Sequence, residues 1–195
     1  AAGLVDVVVT NPDGQAATKA DGYAYVADAV AQFHPPVIQG YAQALAVDAA
    51  GNIYVAGYFT GTADFNPGVG CDPKRSAGGH DVFVTRFNAD GGYGWTQTFG
   101  GSSDDDAWRM AVSGGAVYVT GWFFSADAGV GGLGNVAAVG SCDAFILALD
   151  AATGAAKTAF SGDGVQTFGG SGEDRGWGVT VSGGTVYATG WFSSA

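Results

Sequence analysis

The sequence predicts an all-β protein, a partial β-propeller of four-stranded antiparallel blades with two blades complete and a third begun. Three observations carry this. Short runs rich in Val, Tyr, Phe, Trp and Thr alternate with Gly-, Asn- and Asp-containing turns along the chain. The stretch FGGSSDDDAWRMAVSGGAVYVTGWFFSA (99–126) returns as FGGSGEDRGWGVTVSGGTVYATGWFSSA (168–195), offset by 69 positions without a gap. Runs such as IYVAGYF and VYVTGWF are nearly continuous in apolar residues. A strand with water on one face alternates; a strand covered on both faces need not.

The expected strands, in order, are 6–10, 24–26, 44–47, 52–59, 81–87, 95–99, 110–112, 116–123, 143–149, 165–168, 179–181 and 185–192. One short helix is expected over 27–33, ended by His34-Pro35-Pro36. Tyr54, Tyr118 and Tyr187 mark one recurring position, with spacings of 64 and 69 residues. Each unit thus supplies four strands in a meander, the pattern of a propeller blade. Gly114-Gly115 and Gly183-Gly184 suit two-residue hairpins, whose central positions both need positive φ. Loops of about 20 residues separate the second and third strands of each blade, longer than ordinary hairpin loops and suited to recognition.

The 195 residues include 35 glycines and carry a net charge of −11, from 18 acidic and 7 basic side chains. At 47% hydrophobic, the chain has the means to bury a core. Nucleic acid and anionic membrane surfaces are excluded as expected partners, because binding them needs clustered Lys and Arg. Membrane insertion is not expected, since no apolar stretch has the length to span a bilayer. The only methionine is Met110, so the chain reads as a mature product or a piece of a longer one.

The ordered motifs GNIYVAGYF, GTADFNPG, GHDVFVTRFNADGG and GWTQTFGG resemble the bacterial SBBP-type β-propeller repeat, a relative of the NHL repeat, over 42–195. That resemblance implies blades at about 42–107, 108–176 and 177–195, the last partial. It also implies a large exported or surface-attached bacterial protein, extracellular or at the cell surface, whose remaining blades lie elsewhere. GLVDVVVTNPDGQAATKADGYAYV (3–26) resembles the closing strands of an IPT/TIG immunoglobulin-like domain, so residues 1–26 are expected to be a short Ig-like tail. Residues 27–41 then read as a linker.

The repeated acidic loop holds the main candidate site. Asp105 aligns with Asp174, Asp104 with Glu173, and Trp108 with Trp177. The four carboxylates are of a kind that ligates Ca²⁺ or serves as acid and base, and the tryptophans are of a kind that stacks on a sugar. The bland reading is favoured for each. An Asp in a glycine-rich turn hydrogen-bonds backbone N–H groups, and a tryptophan recurring in every unit packs between blades. Asp106 aligns with Arg175, which argues against a shared metal site. Trp122 and Trp191 are expected in the core, and Asp81 and Asp143 are expected to cap loops. Cys71 and Cys142 sit one in each long loop and are a candidate disulfide, although their loop positions differ.

GVGGLG (129–134) matches GxGxxG, but no βαβ unit surrounds it, so nucleotide binding is not expected. His34 and His80 are the only histidines, which leaves a His-based triad or zinc site without partners. No catalytic residue is assigned and no cofactor is expected beyond calcium. The expected function is a non-enzymatic extracellular scaffold or recognition module, for a glycan or a surface protein. The alternative is part of an extracellular carbohydrate-acting hydrolase or lyase with carboxylates on the propeller face.

Overall fold

The computed structural model describes residues 4–10, 16–24, 39–66, 70–131 and 136–193, the first two stretches as backbone. It is all-β with antiparallel sheets. Strands β1 (Leu4–Thr10) and β2 (Ala16–Ala24) pair from Leu4↔Ala24 to Thr10↔Ala16. The expected helix over 27–33, His34 and most of the 27–41 linker lie outside the described residues.

A first sheet is built from β3 (Gln39–Val47), β4 (Ile53–Thr60), β7 (Asp81–Phe87) and β8 (Tyr93–Gly100), adjacent in chain order. Between β4 and β7 the long loop folds into a small ribbon, β5 (Thr62–Asp64) with β6 (Pro73–Arg75). A second sheet repeats the meander with β9 (Asp105–Ser113), β10 (Ala116–Phe123), β12 (Asp143–Asp150) and β13 (Val165–Phe168). A one-turn helix, α1 (Thr158–Ser161), precedes β13. The last pair is the hairpin β14 (Asp174–Ser182) and β15 (Thr185–Phe192). The glycine pairs fall where the sequence places them, with φ of 58° and 71° at Gly114 and Gly115 and 58° and 80° at Gly183 and Gly184.

The sheets pack in sequence. Strand β9 lies against β3, β4 and β7, and β14 lies against β9, β10 and β12. One core cluster joins the first two sheets, with Tyr54, Val82, Val84 and Phe99 from one and Val117, Val119, Phe123, Phe145 and Leu147 from the other. A second cluster covers the opposite face of the first sheet, where Ala63 and Phe65 of the long loop close over Ile53, Val55, Phe59, Phe83 and Phe87. Residues 53–57 of β4 are therefore all buried, as are 143–149 of β12. Coverage on both faces is what the unbroken apolar runs require.

Two ties between the sheets were not legible in the sequence. Strand β11 (Gly129–Val130), from the second sheet's long loop, crosses to the edge of the first and pairs Gly129↔Gly100 and Val130↔Phe99. This covers an otherwise open strand edge. The turn after β12 docks on the first sheet, where the Ala151 carbonyl accepts from the Tyr54 hydroxyl and from Trp95 Nε1, both at 3.2 Å.

The first strand of each unit also carries a bulge at the same place. The register skips Gln43 in β3, Trp108 in β9 and Trp177 in β14. Opposite each bulge stands the glycine of the YxxGxF pattern: Gly57, Gly121 or Gly190. A Cβ there would run into the carbonyl oxygen of Tyr41, Asp106 or Arg175 respectively. The bulge presses backbone against backbone, so only glycine fits.

Candidate functional site: the acidic loop layer

Asp105 and Asp174 each open the first strand of their unit rather than lying in the preceding loop. Asp105 is wholly buried. Its carboxylate accepts from Gly101 N at 2.8 Å, Ser125 Oγ at 2.7 Å and Ser125 N at 3.3 Å. Asp174 is equally buried and accepts from Gly170 N at 3.1 Å and Ser193 N at 3.0 Å. Their own amides donate across to the neighbouring unit, Asp105 N to His80 O at 2.7 Å and Asp174 N to Cys142 O at 2.8 Å. Each aspartate thus ties together the glycine turn before it, the segment that follows the next strand and the residue just before the third strand of the preceding sheet.

Asp81 and Asp143, the first residues of β7 and β12, also recur as a pair. Each caps its own loop, Ala77 N donating to Asp81 at 2.9 Å and Val139 N to Asp143 at 3.0 Å. The other oxygen, Oδ1, has no hydrogen-bond partner in either residue and is buried in both. Burial pushes Asp81 up to about 6, against the pull of the loop amides. Asp105 is likewise pushed up to about 6, first by burial and in smaller part by Asp81, against its hydroxyl and amide donors. Asp143 is raised by burial and by Asp174.

The flanking acids part company. Asp104 Oδ1 accepts from His80 N at 2.9 Å and lines an open depression of about 490 Å³ with Gly79, Ser102, Ser103 and Phe124. Glu173 instead holds Arg175 through Oε1 at 2.5 Å. Among the described residues no group of three or more His, Cys, Asp or Glu is arranged to hold a metal ion. Ca²⁺ takes six to eight oxygens, whereas the Asp105 oxygens already accept internal donors.

Trp108 and Trp177 are the bulge residues and are 37% and 52% exposed. Packing between blades would bury them; the bulge leaves much of each ring in solvent. Trp122 is half-buried, with Arg175 over its ring at 5.3 Å from the centroid. Trp191, expected in the core, is 44% exposed, and no described strand lies over it. Cys71 is exposed and Cys142 buried, and both are free thiols; Cys142 Sγ donates to Asp174 O at 3.7 Å.

A cluster beside the loops had no signature in the sequence. His80 stacks on Tyr58 at 4.3 Å, its Nδ1 is 3.6 Å from Asp106, and Asp106 pairs in register with Trp122. Asp106 is pushed up to about 6 by burial, with His80 and Arg175 drawing it down. The Asp106-to-Arg175 change between units is the one usable signal: it falls on the face where one sheet meets the next, so an Arg on β14 answers an Asp and a Trp on the sheet beneath it.

No protein-family model matches the chain, and no curated protein matches it. The chemistry of the site therefore rests on geometry. Carboxylates engaged by internal amides and hydroxyls, with no solvent-exposed surface at Asp105 or Asp174, hold loops in place. General acid–base work needs a carboxyl within reach of a substrate.

Proposed function

We propose that the chain is a non-enzymatic scaffold or recognition module made of propeller blades of the SBBP type, 42–107, 108–176 and 177–195, preceded by an IPT/TIG-like tail at 1–26. It belongs to an exported bacterial multidomain protein, extracellular or at the cell surface. Its partner is a glycan or a surface protein, met through the long loops and the exposed Trp108 and Trp177. The observation that carries this reading is the complete burial of Asp105 and Asp174 under donors from their own and neighbouring segments. The sequential packing of four-stranded meanders supports the blade assignment.

The test sets Asp105→Asn and Asp174→Asn beside the parent chain, each assayed for thermal unfolding and for cleavage of a panel of acidic and neutral polysaccharides. The scaffold reading expects no cleavage by the parent and a lower melting temperature in both variants. Cleavage by the parent that vanishes in a variant of unchanged melting temperature would establish the hydrolase or lyase instead.

A further inference from the structure

Asp106 Oδ1, Trp122 Nε1 and Arg175 Nε are buried polar atoms without a hydrogen-bond partner, and they gather in one place. Asp106 is 8% exposed and pairs in register with Trp122, and the Arg175 guanidinium lies over the Trp122 ring. His80 Nδ1 stands 3.6 Å from Asp106 Oδ1, beyond hydrogen-bond reach. Buried polar groups left unpaired call for an explanation, since each forfeits its hydration. These atoms lie directly behind the depression of about 490 Å³ that Asp104 and Phe124 line. Phe124 N donates to Asp104 O at 3.0 Å, so the Asp104–Phe124 pair shares a sheet face with the Asp106–Trp122 pair. Trp122 and Phe124 meet edge to face, their ring centroids 5.1 Å apart.

Repeat packing does not account for this set. The next joint keeps the backbone bonds: Ser193 N donates to Glu173 O where Phe124 N donates to Asp104 O, and Asp174 N to Cys142 O where Asp105 N donates to His80 O. Its side chains differ. Ser193 stands for Phe124, Cys142 for His80 and Arg175 for Asp106, and Arg175 closes on Glu173. Residues that serve stacking alone recur from unit to unit. We infer that the depression is a saccharide site, a neutral sugar ring seated against Phe124 with its hydroxyls toward Asp104, Asp106, Trp122 and Arg175. The unpaired atoms select this chemistry. Asp106 Oδ1 needs a donor, whereas Trp122 Nε1 and Arg175 Nε need acceptors. A cationic group brings donors only. An anion brings acceptors only and meets the carboxylates of Asp104, Asp106 and Asp127. A hydroxyl both donates and accepts. The volume falls in the range of about 300–1,000 Å³ of small-molecule clefts, which are lined by aromatic surface and a few placed polar groups. This rests on the recognition reading and narrows it, choosing a glycan over a surface protein and placing it beside Phe124 rather than on Trp108 and Trp177.

The experiment is a heteronuclear NMR titration of the 195-residue chain, following amide and indole N–H signals. The probes are the methyl glycosides of glucose, galactose, mannose and N-acetylglucosamine, with glucuronate and the acetylated amide of lysine as charged counterparts. At least one neutral glycoside is expected to shift the amides of Gly79, Ser102, Ser103, Asp104 and Phe124 and the Trp122 indole, saturably, while the Trp108 and Trp177 indoles stay in place. Asp104→Asn and Phe124→Ser are each expected to weaken that binding about tenfold. Should Phe124→Ser unfold the chain, Asp104→Asn, at an exposed position, still decides. Asp90→Asn removes a charge from an exposed turn elsewhere and is expected to leave the binding unchanged. No shift with any neutral glycoside overturns the inference. So does a tighter response of the same signals to either charged probe, or binding that Asp104→Asn leaves intact or that Asp90→Asn weakens equally. Shifts confined to Trp108 and Trp177 also overturn it and leave the recognition reading standing, whereas polysaccharide cleavage by the parent chain strikes that reading and is scored in its own assay.

Discussion

Asp81 and Asp105 press on one glycine from two sheets: a Cβ placed on Gly100 would stand 2.8 Å from Asp81 Oδ1 and 2.9 Å from Asp105 Oδ2. The same arrangement recurs at Gly169, between Asp143 and Asp174. Exposed Asp127 adds a further negative charge toward Asp81. Both Asp81 and Asp105 titrate near 6 in the folded chain, above the ordinary carboxylate value. The folded state consequently holds more protons than the unfolded one between about pH 4 and 6. Their contribution to stability is fully present below about pH 4 and lost as pH rises through 6. Thermal unfolding from pH 7.5 down to 5 is expected to show a rising melting temperature. Asp81→Asn, which removes the buried charge that burial disfavours, is expected to flatten that slope and to stabilise the chain at pH 7 by about 1 kcal/mol. A melting temperature that falls on acidification to pH 5 would refute this.

Gly121→Ala tests the bulge. The new methyl would meet the Asp106 carbonyl oxygen, which belongs to backbone and has little room to retreat. A loss of about 3 kcal/mol is expected, the upper end for overpacking, read as a lower urea midpoint at unchanged slope. A variant within experimental error of the parent would mean that the bulged strand β9 straightens freely.

Tyr54→Phe and Tyr187→Phe remove the same hydroxyl from the same position of two units. The Tyr54 hydroxyl lies 3.1 Å from Asp48 Oδ2 and 3.2 Å from Ala151 O, whereas the Tyr187 side chain is in solvent. Losses of about 1 kcal/mol for the first and under about 0.5 kcal/mol for the second are expected. Equal losses would contradict the packing of the second sheet on the first.

Thiol labelling separates the cysteines. Cys71 is exposed and is expected to react in the native chain; burial holds the Cys142 thiol pKa up and shields it, so it reacts only on unfolding. One label natively and two in denaturant, without reductant, are expected by intact mass. Two native labels would show that Cys142 is accessible. None in denaturant would show the two cysteines bridged.

Strand order, the two-glycine hairpins and the recurring unit were legible in the sequence because each is local: period, propensity and positive φ act within a few residues. The loop-capping role of Asp81 and Asp143 was legible for the same reason, each accepting from an amide four positions back. The crossing of β11 to the first sheet was not, since two residues carry no pattern, and the exposure of Trp191 and Tyr187 was not, since their local sequences match those of the less exposed Trp122, Tyr118 and Tyr54.

The sequence by itself determined which segments are strands, where they turn and which residues recur, because backbone preference and apolar patterning are written in neighbouring residues. Only the tertiary structure decided that Asp81 meets Asp105 across 24 positions, that a carbonyl fills the space beside Gly121, and that one tyrosine is buried while its repeat is bare. Those outcomes depend on which sheet lies over which, and similar local sequences acquire different surroundings once they stack.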